Sequence, residues 1–224
     1  MFKQNKSSYV EAIAKSRTVI LMDATGSMAS LLTNAKNAVK TMFERANEII
    51  DKTKKGATFD VQFVAYRNYN APEDALLMSS SWENSAMNLF TFMDTVTPDW
   101  GWGPEAVEVG FWHVNEEIRK DPLKGVSQVI LIADQPPNSD SDVNYKRADR
   151  GESYWSGTRF SKPVYCNTEL RKMIDKKVKV HAFYVADAAK SAFQDIAKRS
   201  GGECEYLDLN SNPAGAANIL TNMV

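Results

Sequence analysis

Cysteine is nearly absent from this 224-residue chain. Cys166 and Cys204 alone are too few for a disulfide framework and lack the spacing of a zinc site, so both read as reduced thiols. No apolar run approaches the roughly 20 residues a membrane-spanning helix needs. The opening residues, Met1 to Lys6, adjoin no apolar stretch of the secretory kind. A protein without a membrane span, intracellular and cytoplasmic, is therefore expected, and the sequon Asn5-Lys6-Ser7 carries little weight. Charge of one sign is lacking too. With 27 Lys+Arg against 28 Asp+Glu, the basic field that draws proteins onto phosphate backbones is missing, and nucleic acid is not expected as a main partner. Repeats and linkers are absent as well. What the chain does have is core-forming material: 43% hydrophobic and 25% charged residues fit one soluble globular domain.

Strand and helix signals alternate, which predicts an α/β domain with a largely parallel central sheet and helices on both faces. Arg17 to Asp23 is an unbroken apolar run ending in a carboxylate, as a strand buried on both faces requires. Apolar residues from Met28 to Ile50 then recur every three or four positions, predicting a long helix that stops near Lys52-Lys55-Gly56. Strands are expected at Phe59–Tyr66 and Ala75–Ser79, whose short connection suggests an antiparallel edge pair. Helical periodicity returns at Met87–Val96 and Ala106–Ile118, with Pro104 suited to a first helical turn. The strongest strand, Val126–Ala133, ends at Asp134 and opens into what reads as a loop over 135–167, far longer than usual connections. A helix around Leu170–Ile174, a strand at Val178–Val185, a helix closed by Gly201-Gly202, a short strand at Cys204–Leu207 and a final helix from Ala214 complete the chain.

Ligands of open parallel sheets bind beyond the carboxyl ends of the strands. Two strands here end in aspartate, and a buried aspartate needs a counter-charge, hydrogen-bond donors or a metal. In Asp23-x-Thr25-x-Ser27 the alternate residues of a turning chain face one concavity, which supplies one carboxylate and two hydroxyls. Mg²⁺ suits such an all-oxygen set and keeps several waters. With Asp134 as a further donor, the ion would still attract a carboxylate from a partner. A purely structural role competes with this: Thr25 or Ser27 capping the helix, and Asp23 accepting from its amides.

At these residues the chain resembles the von Willebrand factor A (VWA) domains. Asp23-Ala24-Thr25-Gly26-Ser27-Met28 is similar to their D-x-[ST]-x-S metal-ion-dependent adhesion site (MIDAS), Ile132-Ala133-Asp134 to the segment carrying their last metal-associated aspartate, and Gly103-Pro104-Glu105-Ala106 to a helix start common in the class. The details look closest to VWA domains found with alpha-type protein kinases and in protist proteins, although no kinase segment is recognisable. The resemblance implies a Rossmann-like VWA fold over 17–224, with 1–16 as an N-terminal extension and 135–167 on the top face. It also implies Mg²⁺ held by Asp23, Thr25, Ser27 and Asp134. The family's remaining ligand position falls on Trp102, and an indole cannot ligate Mg²⁺. Asp99 is the nearby carboxylate that can substitute if its loop bends.

Trp100, Trp102, Tyr145, Tyr154, Trp155, Phe160 and Tyr165, with Lys146, Arg147, Arg150 and Arg159 among them, fall on segments expected at that same edge. Aromatics and arginine anchor protein interfaces, so Trp100, Trp102, Tyr154, Trp155, Arg159 and Phe160 are the candidate partner contacts. The competing expectation is that these rings fasten the long segment to the domain. Enzyme readings are less complete. Ser27 lacks the G-x-S-x-G glycines, His113 and His181 fall on a helix and inside a strand, and Gly101-Trp102-Gly103-Pro104-Glu105-Ala106 matches G-x-G-x-x-A without a preceding strand. Lys52, Lys54, Lys55, Lys172, Lys176 and Lys177 read as solvated helix ends. The expected function is non-enzymatic: a module binding a protein partner, through an acidic residue of that partner, at a Mg²⁺-occupied site. The alternatives are a Mg²⁺-dependent hydrolase or phosphotransferase using Asp23 and Asp134, and a metal-free structural subunit of a larger complex.

Overall fold

A computed structural model describes residues 15–53, 58–123 and 125–223. The expected extension 1–16 lies almost wholly outside these residues, as do Lys54, Lys55 and Gly56 of the predicted helix stop. The chain begins with β1 (Lys15–Asp23), a 3-10 turn (Gly26–Ser30) and α1 (Leu32–Thr53). Next come β2 (Thr58–Tyr66), a short α2 (Glu73–Leu76), β3 (Leu77–Ser79), α3 (Ala86–Asp94) and α4 (Val107–Lys120). β4 (Gln128–Ala133) leads to α5 (Asp140–Arg150), α6 (Glu152–Ser156) and α7 (Cys166–Asp175). β5 (Lys179–Tyr184), α8 (Asp187–Ser200), β6 (Cys204–Tyr206) and α9 (Pro213–Asn222) follow.

The strands form one six-stranded sheet in the order β3-β2-β1-β4-β5-β6, parallel throughout except for the antiparallel β2–β3 edge pair. The expected fold class is thus observed. Alternation sorts the core into two layers: Val19 and Leu21 of β1 face α4, α7 and α8, whereas Ile20 and Met22 face α1, α3 and α9. Both layers are closed, so the central strands are largely apolar on both sides, with Asp60 and Gln62 of β2 among the buried polar exceptions. Strand order reverses between β1 and β4, placing Asp23 and Asp134 at neighbouring strand ends where the chain departs in opposite directions.

Two expectations are corrected. Residues 135–167 are not one long loop, because they build α5, α6 and the first turn of α7. The start of α5 is fixed by a capping box, in which Asp142 N–H donates to Ser139 Oγ and Ser139 N–H to the Asp142 carboxylate. Pro104 lies ahead of α4 rather than in its first turn. No helix among the described residues is long and apolar enough to cross a membrane.

Candidate functional site

β1 delivers Asp23 to the sheet edge with its side chain fully buried, and the following turn folds back onto it. Thr25 N–H donates to Asp23 Oδ1 at 2.8 Å, and Thr25 Oγ1 stands 3.1 Å from Ser27 Oγ. Thr25 is buried and Ser27 exposed, so this oxygen set runs from the interior to solvent. Asp134, 6% exposed, lies just beyond β4. Asp23 Oδ2 and Asp134 Oδ1 are both buried without a hydrogen-bond partner. Buried carboxylate oxygens in that condition are costly, and a cation would relieve both.

Sequence reasoning missed Glu105 as part of this acidic group. Its main chain is stapled to the segment after Asp134, with Glu105 N–H donating to Pro136 O at 2.9 Å and Asn138 N–H donating to Glu105 O at 3.0 Å. Its side chain is 3% exposed, with Trp102 N–H donating to Oε1 at 3.1 Å and the Asn68 amide to Oε2. Burial pushes Glu105 up to about 7. Burial first, then the Glu105 charge and more weakly that of Asp134, hold Asp23 well above the usual carboxylate range. In sequence the Gly103–Ala106 segment reads as a helix start; the available signal is a glutamate one residue after a proline at a helix mouth.

The loop from Asp99 to Pro104 closes over the turn. Asp99 N–H donates to Ala24 O at 3.1 Å, and Gly26 N–H to Trp100 O at 2.9 Å. A Cβ on Gly101, whose φ is +118°, would stand 3.1 Å from Thr25 Cβ and 3.2 Å from Glu105 Oε1. Only glycine fits both that backbone and that approach. Asp99, expected as a substitute ligand, is exposed and turns its carboxylate onto its own loop, accepting from Trp100 N–H at 2.7 Å. Trp102 contributes its main chain to Glu105 while its half-buried ring meets Tyr145 edge-on, with centroids 5.7 Å apart. Ser27, Trp100, Trp102, Glu105 and Gln135 border a concavity of about 410 Å³.

The candidate partner contacts divide. Trp100 is 43% exposed, and Tyr145 beside Trp102 is 64% exposed. Trp155 and Phe160, by contrast, are fully enclosed, because Trp155 Nε1 donates to Arg147 O at 3.1 Å and Phe160 meets Trp112 with ring centroids 5.0 Å apart. They fasten the segment to the domain and offer no surface. Tyr154 accepts from Glu73 N–H at 2.9 Å, and its ring abuts Trp155. Arg159 pairs with Glu73 at 3.2 Å and donates to Leu77 O at 2.7 Å, so it covers the β3 edge away from the aspartates.

No protein-family model matches the sequence, and no curated protein matches it. Solved structures do. The pilus adhesin SpaC from Lactobacillus rhamnosus GG aligns over 94% of this chain with a TM-score of 0.63 at 12% identity. The SpRpn10 VWA domain aligns over 93% of this chain and 95% of its own length, with a TM-score of 0.60 at 12% identity. The fold is that of a VWA domain. A von Willebrand factor type A protein from Catenulispora acidiphila aligns over 94% of this chain with a TM-score of 0.55 at 16% identity. The chain spans 30% of the SpaC chain and 42% of the Catenulispora chain. Within this VWA fold, no three His, Cys, Asp or Glu side chains among the described residues are grouped so as to hold a metal ion. An ion here would depend on the Thr25 and Ser27 hydroxyls as well.

Proposed function

We propose that this chain is a protein-interaction module whose VWA top face engages a partner through Mg²⁺ held by Asp23, Thr25, Ser27 and Asp134, with Glu105 as a neighbouring third carboxylate. The observation carrying this reading is the pair of buried, unpartnered oxygens, Asp23 Oδ2 and Asp134 Oδ1, at adjoining strand ends beside the Thr25–Ser27 hydroxyls. When bound, the ion would neutralise these carboxylates and leave open positions for an oxygen ligand, such as an acidic side chain of the partner. The exposed rings of Trp100, on the loop bonded to Gly26, and of Tyr145, packed against Trp102, supply apolar anchorage around that point. The chain's own residues would bind and orient rather than transform. His113 is tied to Gln62 at 3.0 Å and His181 lies inside β5, so neither serves as a base at the aspartates. The SpaC neighbour is named an adhesin and the SpRpn10 neighbour a VWA domain, which accords with a binding role.

A metal-free interaction face has one observation in its favour, the lack of three grouped acidic, His or Cys side chains among the described residues. Isothermal titration of the full chain with MgCl₂ separates the two. Saturable uptake of one ion, weakened by Ser27→Ala and abolished by Asp134→Ala, is expected. Heats indistinguishable from buffer dilution would leave the face metal-free.

A further inference from the structure

A second surface lies far from the strand-end carboxylates. α4 begins next to Glu105 at the carboxyl edge of the sheet and runs to the opposite edge, where Arg17 at the start of β1 pairs with Asp121 at 3.4 Å. Along the seam with α7, two cavities of about 420 and 310 Å³ share Trp112, Glu169 and Lys172, and so join into one groove. Its floor is apolar: Trp112, Ile118 and Pro122 on one side, Pro163, Val164 and Tyr165 on the other. Leu123, next in sequence to the lining residue Pro122, is 99% exposed. A leucine so exposed has no role within this chain's core.

The charges on the rim decide what fits. The two glutamates there are already satisfied, Glu116 by Arg119 and Glu169 by Lys172 at 2.7 Å. Lys162 and Lys176 line the groove with no carboxylate partner among the described residues, so the rim carries an uncompensated positive charge. Long lysine and arginine stems also add apolar area to the walls while their heads stay in water. From Trp112 to Pro122 the groove follows α4 for about 15 Å, enough for roughly ten residues of helix or half as many of extended chain. We propose that this seam is a docking site for a short acidic segment of a partner protein, carrying bulky apolar anchors flanked by Asp or Glu. The chain's own residues 1–14 fit it poorly, since they bring two lysines against one glutamate to a basic rim.

The test uses the full chain and a fluorescent peptide of about twelve residues, with Leu and Phe four positions apart and acidic flanks, beside a counterpart with lysine flanks. The acidic peptide is expected to bind, to weaken roughly tenfold in Lys162→Glu/Lys176→Glu, and to weaken further with salt. Both lysines are exposed, so the double variant keeps the fold. Binding should persist in Asp23→Ala, which separates this surface from the strand-end site. Pro122→p-benzoylphenylalanine, irradiated with the peptide present, should cross-link to the peptide. A cross-link to residues 1–14 or to a second copy of the chain would overturn the proposal. So would equal affinity for the lysine-flanked peptide, or no binding of either.

Discussion

The Lys146 ammonium stands 2.6 Å from the carbonyl oxygen of Pro104, on the peptide that leads directly into Glu105. It also donates to Trp102 O and, at 2.6 Å, to Asn138 Oδ1, while Asn138 Nδ2 donates to Glu108 Oε1 at 2.9 Å. One buried cation from α5 thus ties the Asp99–Pro104 loop to the segment following β4, and the two acidic strand ends are held to one geometry. Burial pulls the Lys146 pKa down, whereas the nearby Glu105 charge supports the ammonium form.

Lys146→Met should therefore destabilise the protein by about 2–4 kcal/mol, because Asn138 Oδ1 loses the ammonium inside the protein and the Trp102 and Pro104 carbonyls are left with the Asn68 amide, which also serves Glu105. At this size that is a fall of about 5–15 °C in melting temperature. Thermal melting checks it, and a loss below about 0.5 kcal/mol would show that water replaces the ammonium without penalty.

The segment 135–167 should behave as core. Trp155→Ala and Phe160→Ala should each cost about 3–5 kcal/mol in urea unfolding, whereas Tyr145→Ala should stay within about 0.5 kcal/mol. Deleting Asp142 to Lys162 should abolish cooperative unfolding, since the Arg147–Glu152 pair at 2.7 Å and the buried Trp155 go with it. A folded deletion variant would show the segment to be an appendage.

That segment also marks where the sequence stops being legible. Asp23 and Asp134 stand out because unbroken apolar runs lead into them, and a run that must be buried on both faces has one reading. α5 has no such run: its buried positions are Val143, Lys146 and Arg147, so two of the three side chains that pack inward are cationic and give no apolar period. Its start rests on the Ser139–Asp142 capping box, a polar feature without an apolar period. Glu105 was hidden for a different reason, since its place in the site comes from main-chain bonds to Pro136 and Asn138, far along the chain. The aromatic cluster was visible as composition, but which rings face outward depends on whether a polar partner lies inside, as Arg147 O does for Trp155.

Glu108 gives a pH prediction. It is fully buried, and burial pushes it up to about 8. A carboxyl group with a folded pKa above its unfolded value contributes most below the unfolded value of 4.5, and loses that contribution as pH rises through about 8. Glu108→Gln keeps an acceptor for Asn138 without the charge. It should match wild type near pH 4.5 and exceed it by up to about 3 kcal/mol at pH 7. Urea unfolding across this range checks the difference, and a variant less stable than wild type at pH 7 contradicts it.

His113 acts in the opposite direction. Burial lowers it to about 4, while its Nε2 stands 3.0 Å from Gln62 Oε1. The unfolded chain then binds more protons than the folded one between pH 6.5 and 4, so the contribution of the neutral ring is present above pH 6.5 and lost as pH falls. Across that window wild type should lose about 3 kcal/mol more than His113→Gln. Parallel acid limbs for the two proteins would show that the ring is protonated in the folded state.

Asp23→Asn joins the strand-end chemistry to stability in one measurement. The amide oxygen of the substituted side chain can still accept from Thr25 N–H, so the local turn is retained, but the charge facing Glu105 and Asp134 is removed. Because burial raises the folded pKa of Asp23, its ionised form opposes folding at neutral pH, and that penalty fades as pH falls toward the unfolded value of 3.8. Without divalent cations the variant should therefore be the more stable protein at pH 8, with the gap closing toward acid. Added Mg²⁺ should raise the melting temperature of the wild type alone. At a hundredfold excess over its dissociation constant the ion adds about 2.7 kcal/mol to the wild type, or about 5–10 °C, and nothing to the variant. Melting curves at pH 8 and pH 5, with EDTA and with Mg²⁺, resolve all four states. A variant that melts below wild type in EDTA would mean that the Asp23 charge is already compensated within the protein, and equal responses of the two proteins to Mg²⁺ would place any bound ion elsewhere.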